Sequence, residues 1–138
     1  MPLIYALVSR GLTVLCEYTS FSGNFSTVAV QCLSKVSQQK SEKVTFTCDG
    51  HTFNFLQDDE FTYLVVADEG YGRNIPFRFL DRVKDEFARQ WAVKALTAPA
   101  YSLNSAFGRK LKEVRVYLVI SVLVCMCTRV YACLYTYV

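Results

Sequence analysis

The sequence contains one histidine, three prolines and no Cys-x-x-Cys motif among its six cysteines. A single histidine and unpaired cysteines leave no Cys/His cluster with the spacing of a zinc site. There is no Ser/His/Asp set or nucleophile elbow, and no Lys-Ser/Thr pair follows Gly70-Tyr71-Gly72, as a phosphate-binding P-loop would require. These absences argue against an enzyme and predict a binding module that uses no cofactor and no metal.

A clustered positive charge is also lacking. The net charge is +3, and two of the 15 basic residues but none of the 12 acidic ones lie in 114–138, so residues 1–113 carry a net charge of +1. A nearly neutral segment with interspersed signs argues against a nucleic-acid surface. The N-terminal MPLIYALVSRG has no charged n-region and predicts a strand rather than a signal peptide. We therefore expect a reducing, cytosolic setting in which Cys16, Cys32 and Cys48 are free, buried thiols.

Five segments have strand patterns. Leu3–Val8 and Phe61–Ala67 are apolar throughout, which is typical of strands buried on both faces. Thr13–Thr19 follows the first strand closely enough to form a hairpin. The third and fourth strands alternate apolar and polar residues on either side of Asp49-Gly50, a dipeptide that predicts a type I′ hairpin turn. His51, directly after this turn, and the acidic run Asp58–Glu60 are interpreted as turn residues rather than as ligands.

Three segments have helical periodicity. The first places Phe25, Val28, Cys32 and Val36 on one stripe, with Asn24 as a candidate N-cap. The second has Pro76 in its first turn and an apolar stripe that ends at Trp91. The third has Ser102 as a candidate cap and an apolar stripe that reaches Val114. The order β-β-α-β-β-β-α-α predicts an α-β-α sandwich in which the first and fifth strands are central and the third and fourth lie nearer an edge.

Five segments in order along the chain form a specific series: GNF (23–25), CDGHTFNF (48–55), FTYLVVA (61–67), IPFRFLDRVKDEF (75–87) and SLNSAFGRKLKE (102–113). This series closely resembles the longin domain of plant-type vesicle-associated membrane proteins, the long R-SNAREs. The resemblance covers about residues 3–113. It implies an α/β (α+β), longin/profilin-like fold over 1–113, with a five-stranded, mainly antiparallel sheet between one helix on one face and two on the other.

The resemblance also implies a regulatory, protein-binding role in vesicle-mediated transport and no catalysis. In the family, an apolar groove between the first helix and the third strand receives the SNARE motif or sorting and coat adaptor proteins. The residues that match this groove are Phe25, Val28, Cys32, Val44 and Phe46. The alternative interpretation is a small adaptor or scaffold subunit of a trafficking complex that uses the same fold. A third, an enzyme on a profilin-like fold, is disfavoured by the missing motifs.

The segment after KLKE departs from the family pattern. No heptad repeat follows Glu113, so we expect a chain without the SNARE motif that fusion requires, placed on the cytoplasmic face of endomembranes, vesicles or the plasma membrane. Residues 114–138 form an apolar tail whose charge-free run, 116–128, is shorter than the roughly 20 residues of a spanning helix. Extension to Val138 places Arg129 near the middle. A marginal membrane anchor, an added strand or buried helix, and a retained intron all stay open.

Overall fold

The computed structural model describes residues 3–20, 22–39 and 42–116. Its strands are β1 (Leu3–Arg10), β2 (Thr13–Thr19), β3 (Lys43–Cys48), β4 (His51–Asp58) and β5 (Phe61–Asp68). Its helices are α1 (Phe25–Val36), α2 (Asn74–Gln90), the single turn α3 (Ala92–Ala95) and α4, which is described over 104–116. A short 3-10 turn, Glu69–Tyr71, precedes α2.

The five strands form one sheet in the order β2-β1-β5-β4-β3, and all neighbours are antiparallel. The two uniformly apolar strands, β1 and β5, pair with each other in the interior of the sheet and are almost entirely buried. The alternating strand β3 lies at one edge with β4 beside it. The predicted strand placement is therefore confirmed, because a strand that is apolar on both faces needs cover on both sides.

The helices cover both faces of the sheet, as predicted. One face packs against α1 through Ala29, Leu33 and Val36, which are fully buried. The other face packs against α2, through Leu80, Val83 and Phe87, and against α4, through Phe107 and Leu111, with Leu103 buried just before α4 begins. Phe87 joins these layers, since its ring meets Phe61, Tyr63 and Phe107 edge-on with centroids 5.1–5.9 Å apart. The result is the α/β longin-like sandwich with one helix on one face and two on the other.

The turn and cap signals differ in their outcome. Asp49 and Gly50 both have positive φ, 50° and 74°, as the predicted type I′ turn requires. Asn24 occupies the N-cap position of α1, but its side chain makes no capping hydrogen bond. Ser102 does not cap α4, which begins at residue 104, and its hydroxyl donates to the Pro99 carbonyl at 2.7 Å. The predicted cap at Ser102 is therefore wrong, because the preceding turn uses the hydroxyl.

The cysteine prediction is confirmed in part, because Cys16, Cys32 and Cys48 are all free thiols but only Cys16 is buried. Cys16 on β2 is fully buried, and this burial raises its pKa to about 12. Cys32 on α1 is only half-buried, and Cys48 is exposed where β3 meets its turn. The last position of an edge strand is covered from one side only, so an apolar thiol there is not enclosed.

Residues 117–138, on which the anchor, added-strand and retained-intron interpretations depend, lie outside the described residues. Helix α4 is described as far as 116, three residues past the predicted boundary at 113. Val114 and Arg115 are buried, and the Arg115 guanidinium donates to the Tyr18 hydroxyl of β2 at 3.2 Å. The boundary between 1–113 and 114–138 stays a prediction. No helix among residues 3–116 is long and apolar enough to cross a membrane.

Candidate functional site: the groove between α1 and β3

Two contacts fix the direction of α1 across the sheet. At its first residue, the Phe25 ring packs edge-on against the His51 imidazole at the start of β4, with centroids 5.1 Å apart. At its last residue, the Val36 carbonyl accepts a hydrogen bond of 2.9 Å from the Gln57 side-chain amide near the end of β4. The helix therefore runs parallel to β4 and antiparallel to β3, and one flank of α1 follows the edge strand along its length.

The five residues that sequence reasoning assigned to the groove come together beside this flank. All are half-buried apolar residues that pack against the rim of the core under α1: Phe25, Val28, Cys32, Val44 and Phe46. Every other large apolar residue in this core layer is fully or almost fully enclosed. Between α1 and the sheet edge, the apolar surface is therefore only partly covered. The role of this surface in binding a partner stays a prediction.

The strand side of the groove is held in place by buried aromatic rings of β4. Val44 pairs with Phe55, and Phe46 pairs with Phe53, in the β3–β4 register. The Phe46 and Phe55 rings meet edge-on at 5.9 Å, and both β4 rings are at most 2% exposed. An aromatic pair of this kind adds about 0.5–1.5 kcal/mol beyond area burial. Phe46 is therefore anchored on its inner side and available on its outer side.

The backbone of β3 adds hydrogen-bonding groups to the apolar surface. In an antiparallel hairpin with a two-residue turn, the pair that flanks the turn is hydrogen-bonded and the pairs alternate from there. Cys48, Phe46 and Val44 therefore bond to β4, consistent with the Gln57 N–H donating to the Glu42 carbonyl at 2.8 Å. The N–H and C=O groups of Lys43, Thr45 and Thr47 point away from the sheet. Within the described ranges, no hydrogen bond reaches them from outside the hairpin.

The groove has the chemistry of a binding surface. Partial burial raises the pKa of the Cys32 thiol above its ordinary value, which disfavours the thiolate and so opposes nucleophilic use. The only histidine packs against an aromatic ring. Among the described residues, no group of three His, Cys, Asp or Glu side chains could hold a metal ion. Apolar side chains beside an unpaired strand edge suit a peptide segment that adds apolar contacts and main-chain hydrogen bonds.

Sequence reasoning missed two features of the site. The first is the outward-facing backbone of Thr45 and Thr47. The Asp49-Gly50 turn indicates the hairpin register, and the register shows which backbone groups face outward once β3 is known to be an edge strand. The contact between His51 and Phe25 joins residues 26 positions apart, and no local signal indicates it.

The five-stranded antiparallel sheet with one helix on one face and two on the other defines a domain of the longin type. The profile of the Longin family, described as a Regulated-SNARE-like domain, matches residues 15–111. The chain belongs to the Longin family. It is 54% identical over 112 residues to vesicle-associated membrane protein 725 and 53% identical over 112 residues to vesicle-associated membrane protein 721, both of Arabidopsis thaliana, with 80% of the chain covered in each case.

A more distant relative shows the same pattern. Vesicle-associated membrane protein 7B of Dictyostelium discoideum is 43% identical over 113 residues, which cover 82% of the chain. The matches cover 39% of protein 725, 51% of protein 721 and 43% of protein 7B, so the chain spans about half or less of the length of these relatives. The similarity therefore concerns the longin domain, which is homologous to that of R-SNARE-type proteins of vesicle traffic.

Proposed function

We propose that this longin domain is a regulatory, protein-binding module of vesicle-mediated transport, placed on the cytoplasmic face of endomembranes or vesicles. Its ligand is an apolar segment of a trafficking protein, with a SNARE motif as the first candidate. The segment docks in the groove between α1 and β3. The domain carries out no chemistry in this role, because its effect comes from holding or releasing the bound segment.

One observation supports the proposal most strongly. Five apolar side chains from two separate elements remain half-buried against the same core layer, next to the strand edge that no described residue covers. An amphipathic segment placed there would bury the outer faces of Phe25, Val28 and Phe46 and could bond to the outward groups of β3. The names of the relatives favour vesicle traffic, and nothing in the fold favours the alternative of a scaffold subunit.

The test compares charge insertion in the groove with charge insertion at an exposed position outside it. In the full chain, Val44→Asp with Phe46→Asp places two carboxylates in the groove, and Val93→Asp places one on α3, where the valine is 84% exposed. Affinity for a peptide with the SNARE motif of vesicle-associated membrane protein 721 is measured by fluorescence anisotropy. We expect at least about a 30-fold loss for the groove variant, equivalent to about 2 kcal/mol, and no change for Val93→Asp.

Because Phe46 also packs on Phe55, folding of the groove variant is checked by circular dichroism. The binding test is repeated on α1 with Val28→Asp, for which Val30→Asp is the matched control. Val30 is 42% exposed, on the outer surface of the same helix. If folded groove variants bind the peptide as the unmodified chain does, the assignment of the groove is wrong. If the groove variants still bind the SNARE-motif peptide but no longer bind sorting or coat adaptors, the groove is a binding site and the proposed ligand class is wrong.

A further inference from the structure

A second surface, on the opposite face of the sheet, has a different character from the groove. A cavity of about 770 Å³ lies between the start of β3 and the first turns of α2. Lys43, Arg73 and Arg78 line it, with Phe77 among them and Asp81 as its single carboxylate. The cavity lining therefore carries a net charge of +2 on a domain that is otherwise nearly neutral.

The three cations of this cavity form no ion pair with any residue that the structure describes. The ion pairs observed among the described residues join Arg82, Lys110, Glu86 and Glu113, at 3.4–3.8 Å, in a separate cavity of about 260 Å³ between α2 and α4. In the parts of the chain that the structure describes, no carboxylate lies within 4.0 Å of the Lys43, Arg73 or Arg78 charges. The cations of the smaller cavity are thus ion-paired, whereas the single carboxylate of the larger one, Asp81, forms no ion pair with its three cations.

Two of these cations lie against the Phe77 ring. The Lys43 ammonium lies 5.5 Å from the ring centroid, and the Arg73 guanidinium lies 5.4 Å from it. The ring itself is only 8% exposed. Cation–π attraction keeps both charges over one aromatic ring although like charges repel. An anion bound in the cavity would offset the positive charge of both groups.

We propose that this cavity binds a polyphosphorylated inositol, either as the free inositol phosphate or as the headgroup of a membrane phosphoinositide. Arginine guanidinium groups bind phosphate oxygens in bidentate fashion, and the lysine adds a point charge. Asn74 and Ile75, the first two residues of α2, also line the cavity, and no side chain caps this helix start. Their backbone N–H groups add to the preference for an anion.

The geometry favours an inositol phosphate over a nucleotide. A nucleotide base would need an open aromatic face on which to stack, and the described cavity has one aromatic ring, which two cations already occupy. A cavity volume of about 770 Å³ is within the range of small-ligand sites. A hydroxylated ring with several phosphates needs no aromatic stacking partner. It needs several cations, and the cavity lining supplies three.

The test uses the full 138-residue chain and inositol trisphosphate in isothermal titration calorimetry. We expect binding that weakens at least about tenfold in Arg73→Gln with Arg78→Gln, because two phosphate-binding guanidinium groups are removed. Arg89→Gln is the matched control, since Arg89 is an exposed cation of the same helix outside the cavity. Asp81→Asn should tighten binding, because it removes the one carboxylate of the lining. Arg78→Gln alone guards against misfolding, since its side chain makes no described contact.

Vesicle arms separate the two sources of the headgroup. The chain is floated with vesicles of phosphatidylcholine plus phosphatidylinositol bisphosphate and, as a control, with charge-matched phosphatidylserine vesicles. A lipid ligand is assigned if only the phosphoinositide vesicles recruit the chain and this recruitment needs Arg73 and Arg78. Binding of inositol trisphosphate without such recruitment assigns the soluble ligand. The proposal is overturned if the chain binds neither inositol trisphosphate nor either kind of vesicle, or if it binds only a polyglutamate peptide. It is also overturned if phosphatidylserine vesicles recruit the chain equally well, or if Arg89→Gln weakens binding as much as the cavity variants do.

Discussion

The two edges of the sheet differ in how their backbone groups are used. At the β2 edge, the chain returns after α3 and bonds to the strand through three contacts: Tyr101 N–H to the Val14 carbonyl at 2.8 Å, Leu103 N–H to the Leu15 carbonyl at 3.1 Å, and Glu17 N–H to Asn104 Oδ1 at 2.8 Å. We call this the covered edge. The β3 edge, with Lys43, Thr45 and Thr47 facing outward, receives no such segment from the described residues, and we call it the open edge.

We expect this difference to separate the residues that stabilise the fold from those that bind a partner. An unpaired strand edge invites association, and proteins usually blunt or cover such an edge. Here one edge is closed by the segment that leads into α4, and the other lies beside a line of half-buried apolar side chains. Changes at the covered edge should therefore reduce the stability of the domain, whereas changes at the open edge should reduce the binding of a partner.

The largest expected effect is on stability at the covered edge. Leu103→Ala should lower the free energy of unfolding by about 2–5 kcal/mol, because Leu103 is almost fully buried and its loss leaves a cavity. Val44→Ala at the open edge should cost only about 1 kcal/mol, since the valine is half-buried. Urea unfolding monitored by circular dichroism measures both. Equal costs at the two edges would contradict the comparison.

The next effect is the loss of stability at alkaline pH. Burial raises the pKa of Cys16, on the covered-edge strand, to about 12 from its ordinary value of 9. The folded state therefore favours the protonated thiol. Its contribution is fully present below pH 9 and is lost between about pH 9 and 12, with a slope of roughly 1.4 kcal/mol per pH unit. The pKa of Tyr5, raised first by burial and then by its bond to Glu17, adds in the same direction.

Unfolding measured against pH in Cys16→Ala should show a shallower alkaline slope than in the unmodified chain. Cys48→Ala, which alters the exposed thiol of the open edge, is the control and should leave the slope unchanged. If stability falls equally steeply with pH in Cys16→Ala and Cys48→Ala, burial does not raise the pKa of the Cys16 thiol.

The smallest expected effect on stability comes from a proline at the open edge. Thr47 is exposed and its N–H points away from β4, so Thr47→Pro removes no ladder hydrogen bond and should change stability by less than about 1 kcal/mol. If the partner adds a strand to β3, its affinity should fall in Thr47→Pro and persist in Thr47→Ala, which keeps the N–H. Equal affinity in both variants would show that the partner uses the groove without the strand edge.

Much of the fold could be predicted because its signals are local or periodic. Uniformly apolar β1 and β5 indicated interior strands, and Asp49-Gly50 indicated its turn. The failures involve interactions between distant residues. Ser102 has the chemistry of a cap, but its hydroxyl is used by the Pro99 carbonyl. The segment that covers β2 joins residues nearly 90 positions apart, and no pattern within either segment indicates their pairing.

The two candidate sites were predictable to different degrees. The groove residues followed from the family resemblance, and the structure brings all five together. The basic cavity could not be predicted, because Lys43 on β3 and Arg73 before α2 are 30 positions apart and only the fold places both beside the Phe77 ring. Their charges are inconspicuous in a sequence whose signs are interspersed.

The most direct test of the binding role of the open edge is an amide NMR titration of the full chain with the SNARE-motif peptide, combined with hydrogen exchange. In the free chain, the Thr45 and Thr47 amides should exchange fast and the Glu17 amide slowly. With the peptide, shifts should concentrate on Cys32, Val44 and Phe46, with slower exchange at Thr45 and Thr47 if a strand is added. Shifts confined to the covered edge or to the α2 face, or no shifts at saturating peptide, would contradict the account.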